Sequence, residues 1–163
     1  MAMLPQGDLR LLESDIAQRL LTSTVPARLA YVATDGKPRV LPINFHWNGT
    51  ELVMGTFAPS RKARALRANP QVAITIDTER QPPEVLLVRG PASVTEVDGV
   101  VPEYAQAFRR YVGDEVADGY LPYLEQHGVA MERIAVTPTW VGVLDFRTRF
   151  PEGMPDWLKG GPS

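Results

Sequence analysis

The chain has 163 residues, with 17 Lys or Arg against 19 Asp or Glu and a formal charge of −2; this fits one domain that buries about 70% of its unfolded surface and has no global attraction to nucleic acid. It has no Cys, which excludes disulfides, thiolate catalysis and Cys-ligated metals, and its two His, His46 and His127, are too few for a multi-His metal site within one chain. No stretch approaches the ~20 apolar residues of a membrane span, and MAMLPQGDLRLLESDIAQ carries charges where a signal peptide needs an apolar run, so a cytoplasmic protein without membrane or nucleic-acid partners is expected.

Leu9, Leu12, Ile16, Leu20 and Leu21 recur at three-to-four spacing and predict a helix over 9–21, within an N-terminal helical segment 1–24. Val25-Pro26 ends it, because the residue before proline is pushed out of the α region. Residues 29–33 read as a strand and Asp35-Gly36-Lys37-Pro38 as a hairpin turn. A longer strand follows over 39–47. Its alternation puts Leu41, Ile43, Phe45 and Trp47 on a core-facing row and Val40, Pro42, Asn44 and His46 on a mixed, polar row. Pro42 cannot donate to a ladder, which implies an edge, a bulge or an interrupted pairing with room for a ligand beside it.

Asn48-Gly49 is the next turn and 51–55 the next strand, followed by a loop Gly55-Thr56-Phe57-Ala58-Pro59. Ser60 is placed to cap a helix over 61–67, which Asn69-Pro70 closes. Strands follow over 72–77 and 85–97, with Gly90-Pro91 as a bulge or kink in the second. Segment 98–130 reads as a helical insertion, with helices over 102–111 and 116–127. Strands return over 133–136 and 140–147, and 151–163 is a Pro- and Gly-rich tail. About seven adjacent strands and four helices predict an α+β fold: one antiparallel barrel, mainly β, with helical decorations, filling a single domain over 1–163.

The helix start at Ser60 is the chemically pointed feature. A helix N-terminus presents unpaired N–H groups and partial positive charge. Ser60 adds a hydroxyl, and Arg61 and Lys62 add cations, in the first turn. A phosphate monoester, close to two negative charges at neutral pH, is the anion this suits. Arg64 and Arg67 read as structural partners of Asp77 or Glu79. His46 reads as a packed or surface residue, and the stripe Tyr104, Ala107, Phe108, Tyr111 as packing. No catalytic side-chain set and no metal site emerges from the sequence.

Three stretches, RVLPINFHW, SRKARALRANPQVAITID and TPTWVGVLDF, occur in an order that resembles the pyridoxamine 5'-phosphate oxidase-like split-barrel flavoproteins. The resemblance implies an FMN-binding antiparallel split β-barrel working as a homodimer, with the cofactor at the subunit interface. It implies phosphate contacts from Ser60, Arg61 and Lys62, and a flavin lying along Arg39, Leu41, Pro42, Ile43 and Asn44. Gly55 and Thr56 would edge the ring, and Trp140 would add an aromatic contact from the second protomer. The end, FRTRFPEGMPDWLKGGPS, does not match the substrate-gripping signature of true pyridoxamine-phosphate oxidases. The sequence looks more like the related flavin and deazaflavin (F420) reductases. The expected function is hydride transfer between FMN and a small molecule; the alternatives are an F420-dependent reductase and a non-catalytic flavin- or haem-binding protein.

Overall fold

The computed structural model describes residues 2–160, and its longest strand explains how the sheet curls. The strands are β1 (Ala27–Val32), β2 (Pro38–Ile43), β3 (His46–Trp47), β4 (Leu52–Phe57), β5 (Gln71–Asp77), β6 (Val85–Asp98), β7 (Ala130–Val136) and β8 (Trp140–Leu144). They run in the order β2-β1-β5-β6-β7-β4-β3, with β8 also on β6, and every pairing is antiparallel. Along β6 the first half, from Val85 to Arg89, lies between β5 and β8, while the second half, from Ala92 to Asp98, pairs with β7. One strand therefore serves both halves of a split barrel, and the fold is the α+β antiparallel architecture expected from the sequence.

The change of partner falls at Gly90-Pro91. There the β7–β8 connection wraps the strand: Thr137 N–H donates to the Pro91 carbonyl at 3.2 Å and Thr139 N–H to the Arg89 carbonyl at 2.8 Å. A side chain at Gly90 would put its Cβ 2.0 Å from the Thr137 carbonyl oxygen. This close backbone approach, rather than an unusual dihedral, is what requires glycine there.

The second crossover corrects the sequence reading. The single strand expected over 39–47 is two: β2 is the edge strand beside β1, Asn44 and Phe45 turn a corner, and β3 pairs with β4 in the other half. This adds an eighth strand to the seven expected. The apolar alternation runs through the corner because both halves face one core. Phe45 is fully buried, Ile43 and Trp47 pack against the core, and Val40 is exposed. Pro42 sits on the sheet edge, where its missing N–H breaks no ladder.

Four helices decorate the barrel: α1 (Asp15–Leu21), α2 (Arg61–Ala68), α3 (Pro102–Val112) and α4 (Asp114–Gln126). The helix expected over 9–21 is broken. Residues Leu9–Glu13 form a 3-10 turn, and extended Ser14 (ψ 150°) caps α1 by accepting from Ala17 N–H. The break rotates the apolar face, so Leu11 is buried while Leu9 is exposed. Each large side chain buried in the core, such as Phe45, Leu52 or Ile134, stabilises the fold by about 1.5–3 kcal/mol. β8 stops at Leu144, three residues before the expected end, because the Asp145 carboxylate accepts from the N–H groups of Arg147, Thr148 and Arg149 and folds the chain into a turn. Of the tail, Asp156–Leu158 forms a 3-10 turn with Trp157 exposed, and residues 161–163 lie outside the described residues.

Gly90→Ala should lower the unfolding free energy by about 3 kcal/mol or more, because backbone must move to admit one methyl. Urea titration of the variant checks this, and the neighbouring exposed-position control Ser93→Ala should be nearly neutral.

Candidate functional site

Helix α2 begins where its local sequence places it. The Ser60 hydroxyl accepts from Ala63 N–H at 3.0 Å, and Asn69 ends the helix with its N–H on the Ala65 carbonyl at 2.8 Å. Ala63, Ala65 and Leu66 face the core, which leaves Arg61, Arg64 and Arg67 outward and Lys62 half-buried. A carboxylate from β7, the strand paired with β4 and in register with Thr56, holds the helix start. Glu132 of β7, 2% exposed, accepts from the Ser60 N–H at 2.9 Å through one oxygen and from Arg67 Nη1 at 2.8 Å through the other. Arg67 also reaches Glu96 at 3.6 Å.

This corrects the expectation that Arg64 or Arg67 pairs with Asp77 or Glu79: Asp77 is bonded to Arg28, and Arg67 to Glu132. Among the described residues, Arg61, Lys62 and Arg64 form no ion pair, and the N–H groups of Arg61 and Lys62 meet no acceptor. Burial lowers the Lys62 pKa against the opposing pull of Glu132, so an arriving anion would relieve an unfavourable environment. For Glu132, burial pushes the carboxyl up, but the Arg67 and Ser60 hydrogen bonds outweigh it and hold it below its ordinary value. The result is a groove of about 460 Å³ lined by Ser60, Arg61, Arg64, Arg67, Glu96 and Glu132.

A second groove, of about 430 Å³, opens at the barrel corner between Pro26, Pro42, Ile43, Asn44, Gly55 and Tyr104. Gly55 and Thr56 lie within β4 and not in the loop expected of them. Gly55 is tightly constrained: a Cβ there would sit 2.7 Å from the Tyr104 Cβ and 3.0 Å from its ring. Helix α3 thus rests directly on β4. It is fastened to the corner by Arg110, whose Nε donates to the Ser23 carbonyl at 2.8 Å and whose Nη2 donates to the Phe45 carbonyl, and by Tyr111 Oη, which donates to the Val25 carbonyl at 2.9 Å. At its first turn, Glu103 pairs with Arg133 at 2.6 Å. Next to this ion pair, burial and Arg110 lower the pKa of His46, with Glu103 opposing.

The residues singled out in the sequence therefore distribute over two grooves. Pro42, Ile43, Asn44 and Gly55 line the corner groove, and Ser60 and Arg61 line the basic one. Gly55 and Ser60 are five residues apart, at most about 18 Å of extended chain. Arg39, Leu41, Thr56 and Lys62 flank these linings on β2, β4 and α2. Arg39 is bound to Asp35 at 2.8 Å. Trp140 lies in neither groove: it packs against Gly7 and Gly142, beneath the Arg89 guanidinium at 4.0 Å. Sequence reasoning missed Glu132, Pro26 and Tyr104 as lining residues. Glu132 did carry a signal, since an acid inside the apolar strand AMERIAV demands a partner.

Removing the Glu132 carboxylate should destabilise the chain by about 2 kcal/mol, because the Ser60 N–H and Arg67 lose their acceptor. Gln keeps one acceptor oxygen and satisfies one donor only, so Glu132→Gln should cost about half as much. The wild-type carboxyl has a lowered folded pKa, so its contribution is complete above its ordinary value near 4.5 and is lost as pH falls through the folded value. Chemical denaturation between pH 6 and 3 should show that loss in the wild type and a flatter profile in Glu132→Gln.

Comparison with known proteins agrees with this architecture. The family model described as pyridoxamine 5'-phosphate oxidase matches residues 14–144. No curated protein sequence is detectably similar. Among solved structures, an F420 reductase is 28% identical, with a TM-score of 0.63 over 77% of this chain and 94% of the other. The conserved hypothetical protein Rv2991 of Mycobacterium tuberculosis is 18% identical, with a TM-score of 0.65 over 95% and 97%. The haem storage protein HutZ of Vibrio cholerae is 23% identical, with a TM-score of 0.56 over 77% and 90%; these last two share the fold. With the split-barrel sheet, its two crossovers and the capped basic helix all inside the matched span, the chain belongs to the pyridoxamine 5'-phosphate oxidase family.

Proposed function

We propose that this chain is a flavin-dependent oxidoreductase that binds FMN as a homodimer and transfers hydride to or from a small organic molecule. The observation that carries the reading is the set of unpaired cations at the start of α2: Arg61 and Lys62, with their own free N–H groups, beside a groove five residues from Gly55. Charge and donor geometry fit a phosphate dianion, and the corner groove, joined to the basic one by five residues of chain, suits a flat ring system.

In this reading Ser60 fixes the first turn, and Arg61 and Lys62 hold the phosphate through charge-assisted hydrogen bonds. Leu41, Pro42, Ile43 and Asn44 form the ledge for the ring, Asn44 offering an amide donor and acceptor to its polar edge, with Gly55 and Thr56 opposite and Arg39 at the outer end of the ledge. The bound flavin supplies hydride chemistry; the chain's residues orient it and exclude water, which removes the need for a side-chain acid or base. Trp140 would add its contact across a two-fold interface, which makes both sites equivalent.

F420 is the second reading. The 28% identity to an F420 reductase supports it, as does Arg64, a further unpaired cation one turn along the same face of α2, where a carboxylate-bearing cofactor tail would run. Native mass spectrometry of the purified protein reports subunit count and retained cofactor mass together. The expected result is a dimer carrying FMN; F420 mass would select the second reading, and a Soret band in the visible spectrum would replace both with haem binding.

Arg61→Ala with Lys62→Ala should weaken FMN binding by about 3 kcal/mol, roughly a hundredfold, and leave the cofactor-free melting temperature nearly unchanged because neither side chain holds an ion pair. Unchanged affinity in a titration followed by flavin fluorescence would remove the phosphate assignment. Light scattering should return twice the 18.0 kDa chain mass; a monomer that binds FMN fully would contradict a shared site.

A further inference from the structure

We infer that Tyr104, carried by the helical insertion rather than by the barrel, is the aromatic wall of the corner groove and contacts the cofactor's ring, so that α3 selects for a planar heteroaromatic ligand. This deepens the flavin reading and rests on it.

Three observations place Tyr104 in that role. It lines the groove together with Pro26, Pro42, Ile43, Asn44 and Gly55, and among the described residues is the only aromatic side chain that does. Its approach is built into β4: Gly55 leaves no side chain between strand and helix, and a single methyl there would reach 2.7 Å from the Tyr104 Cβ. Its ring is fixed before any ligand arrives, stacked on Phe108 at a centroid distance of 5.9 Å and 13° between planes, with Phe57 edge-on at 6.3 Å. Phe108 is in turn backed by Tyr120 of α4 at 4.9 Å. A wall held this way loses little conformational freedom when a flat ring meets it.

The phenol has one further property. Burial, with help from the neighbouring Tyr120, pushes its pKa up to about 12. At working pH the hydroxyl keeps its proton, so Tyr104 meets the ligand as a neutral aromatic surface and not as a base. The stacked helical pair α3–α4 is then more than a cover for the sheet: it holds one side chain against the barrel at the place where Gly55 admits it.

The test uses FMN, riboflavin and inorganic phosphate as probes on the full-length chain. Tyr104→Leu should weaken FMN and riboflavin alike, by about tenfold, and leave phosphate binding unchanged; the Arg61 and Lys62 double variant should weaken FMN but spare riboflavin. Tyr104→Phe preserves the packing while removing the electron-rich phenol. It should bind FMN within about twofold of wild type and, compared in a Trp140→Phe background so that Trp140 does not quench in its place, lose the strong quenching of flavin fluorescence that a contacting tyrosine produces. In that background, quenching unchanged by Tyr104→Phe, or full FMN affinity in a folded Tyr104→Leu, would overturn the ring contact while leaving the flavin reading intact. Failure of the wild type to bind either FMN or riboflavin would overturn both.

Discussion

A buried carboxylate decides where the chemistry of this chain can lie. Glu132 projects from β7 into the base of α2, and its two oxygens take the Ser60 N–H and the Arg67 guanidinium. Without a partner a buried carboxylate is strongly disfavoured; with these two it becomes a clamp between strand and helix. The clamp uses one cation and one backbone donor, and so determines which groups are left over. Arg67, the most C-terminal of the four basic side chains, is occupied. Arg61, Lys62 and the two N–H groups of the first turn are not. The helix start thus meets solution as a surplus of donors, which a ligand of the opposite charge can complete.

The corner groove has a different origin. It exists because one stretch of chain leaves the first half of the barrel at Ile43 and enters the second at His46. Between them the backbone carbonyl of Phe45 has no strand partner, and Arg110 of α3 donates to it. The same helix supplies Tyr111 to the Val25 carbonyl and Arg133's partner Glu103. The insertion that a sequence pattern marks as decoration therefore completes the hydrogen bonding of the barrel's open corner, and in doing so sets Tyr104 beside Asn44 and Gly55. Structural and ligand-facing roles are not alternatives for α3; its polar side chains hold the corner and one aromatic face lines the opening.

What was legible in the sequence followed from local rules. Ser60 as a cap and Asn69-Pro70 as a stop bracket α2 nearly to the residue, since both act within a turn of where they stand. Local patterns and turn signals placed the seven expected strand runs. What was not legible depends on distant pairings. Alternation reports which residues face a core but not which half of the barrel they join, so 39–47 read as one strand although Asn44 and Phe45 break it. Ser14 carries cap chemistry, but an apolar stripe running across it from Leu9 to Leu21 masked the break. Glu132 lies 72 residues from Ser60 and 65 from Arg67, and the obvious acids nearer α2 in sequence, Asp77 and Glu79, are not its partners. Tyr104 read as packing because helical periodicity describes one helix at a time; its place in the groove follows from the missing side chain of Gly55 on another element.

These pieces also explain how a sheet with a well-packed core accommodates a site at all. Most of the barrel is closed by reciprocal ladders, and β6 is so tightly wrapped at Gly90 that a methyl has no room. The two candidate grooves lie where a ladder has to end: at the edge strand β2, which tolerates Pro42, and where β4 passes out of its pairing with β7 toward Ser60. The two grooves stand at these two ends, one apolar with an amide and a phenol, the other cationic. A ligand that bridged them would need a weakly polar body and an anionic tail, and five residues of chain put an upper bound on the length of the link. The division between a largely apolar groove and a cationic one is thus imposed by where an antiparallel sheet can stop, before any particular ligand is considered.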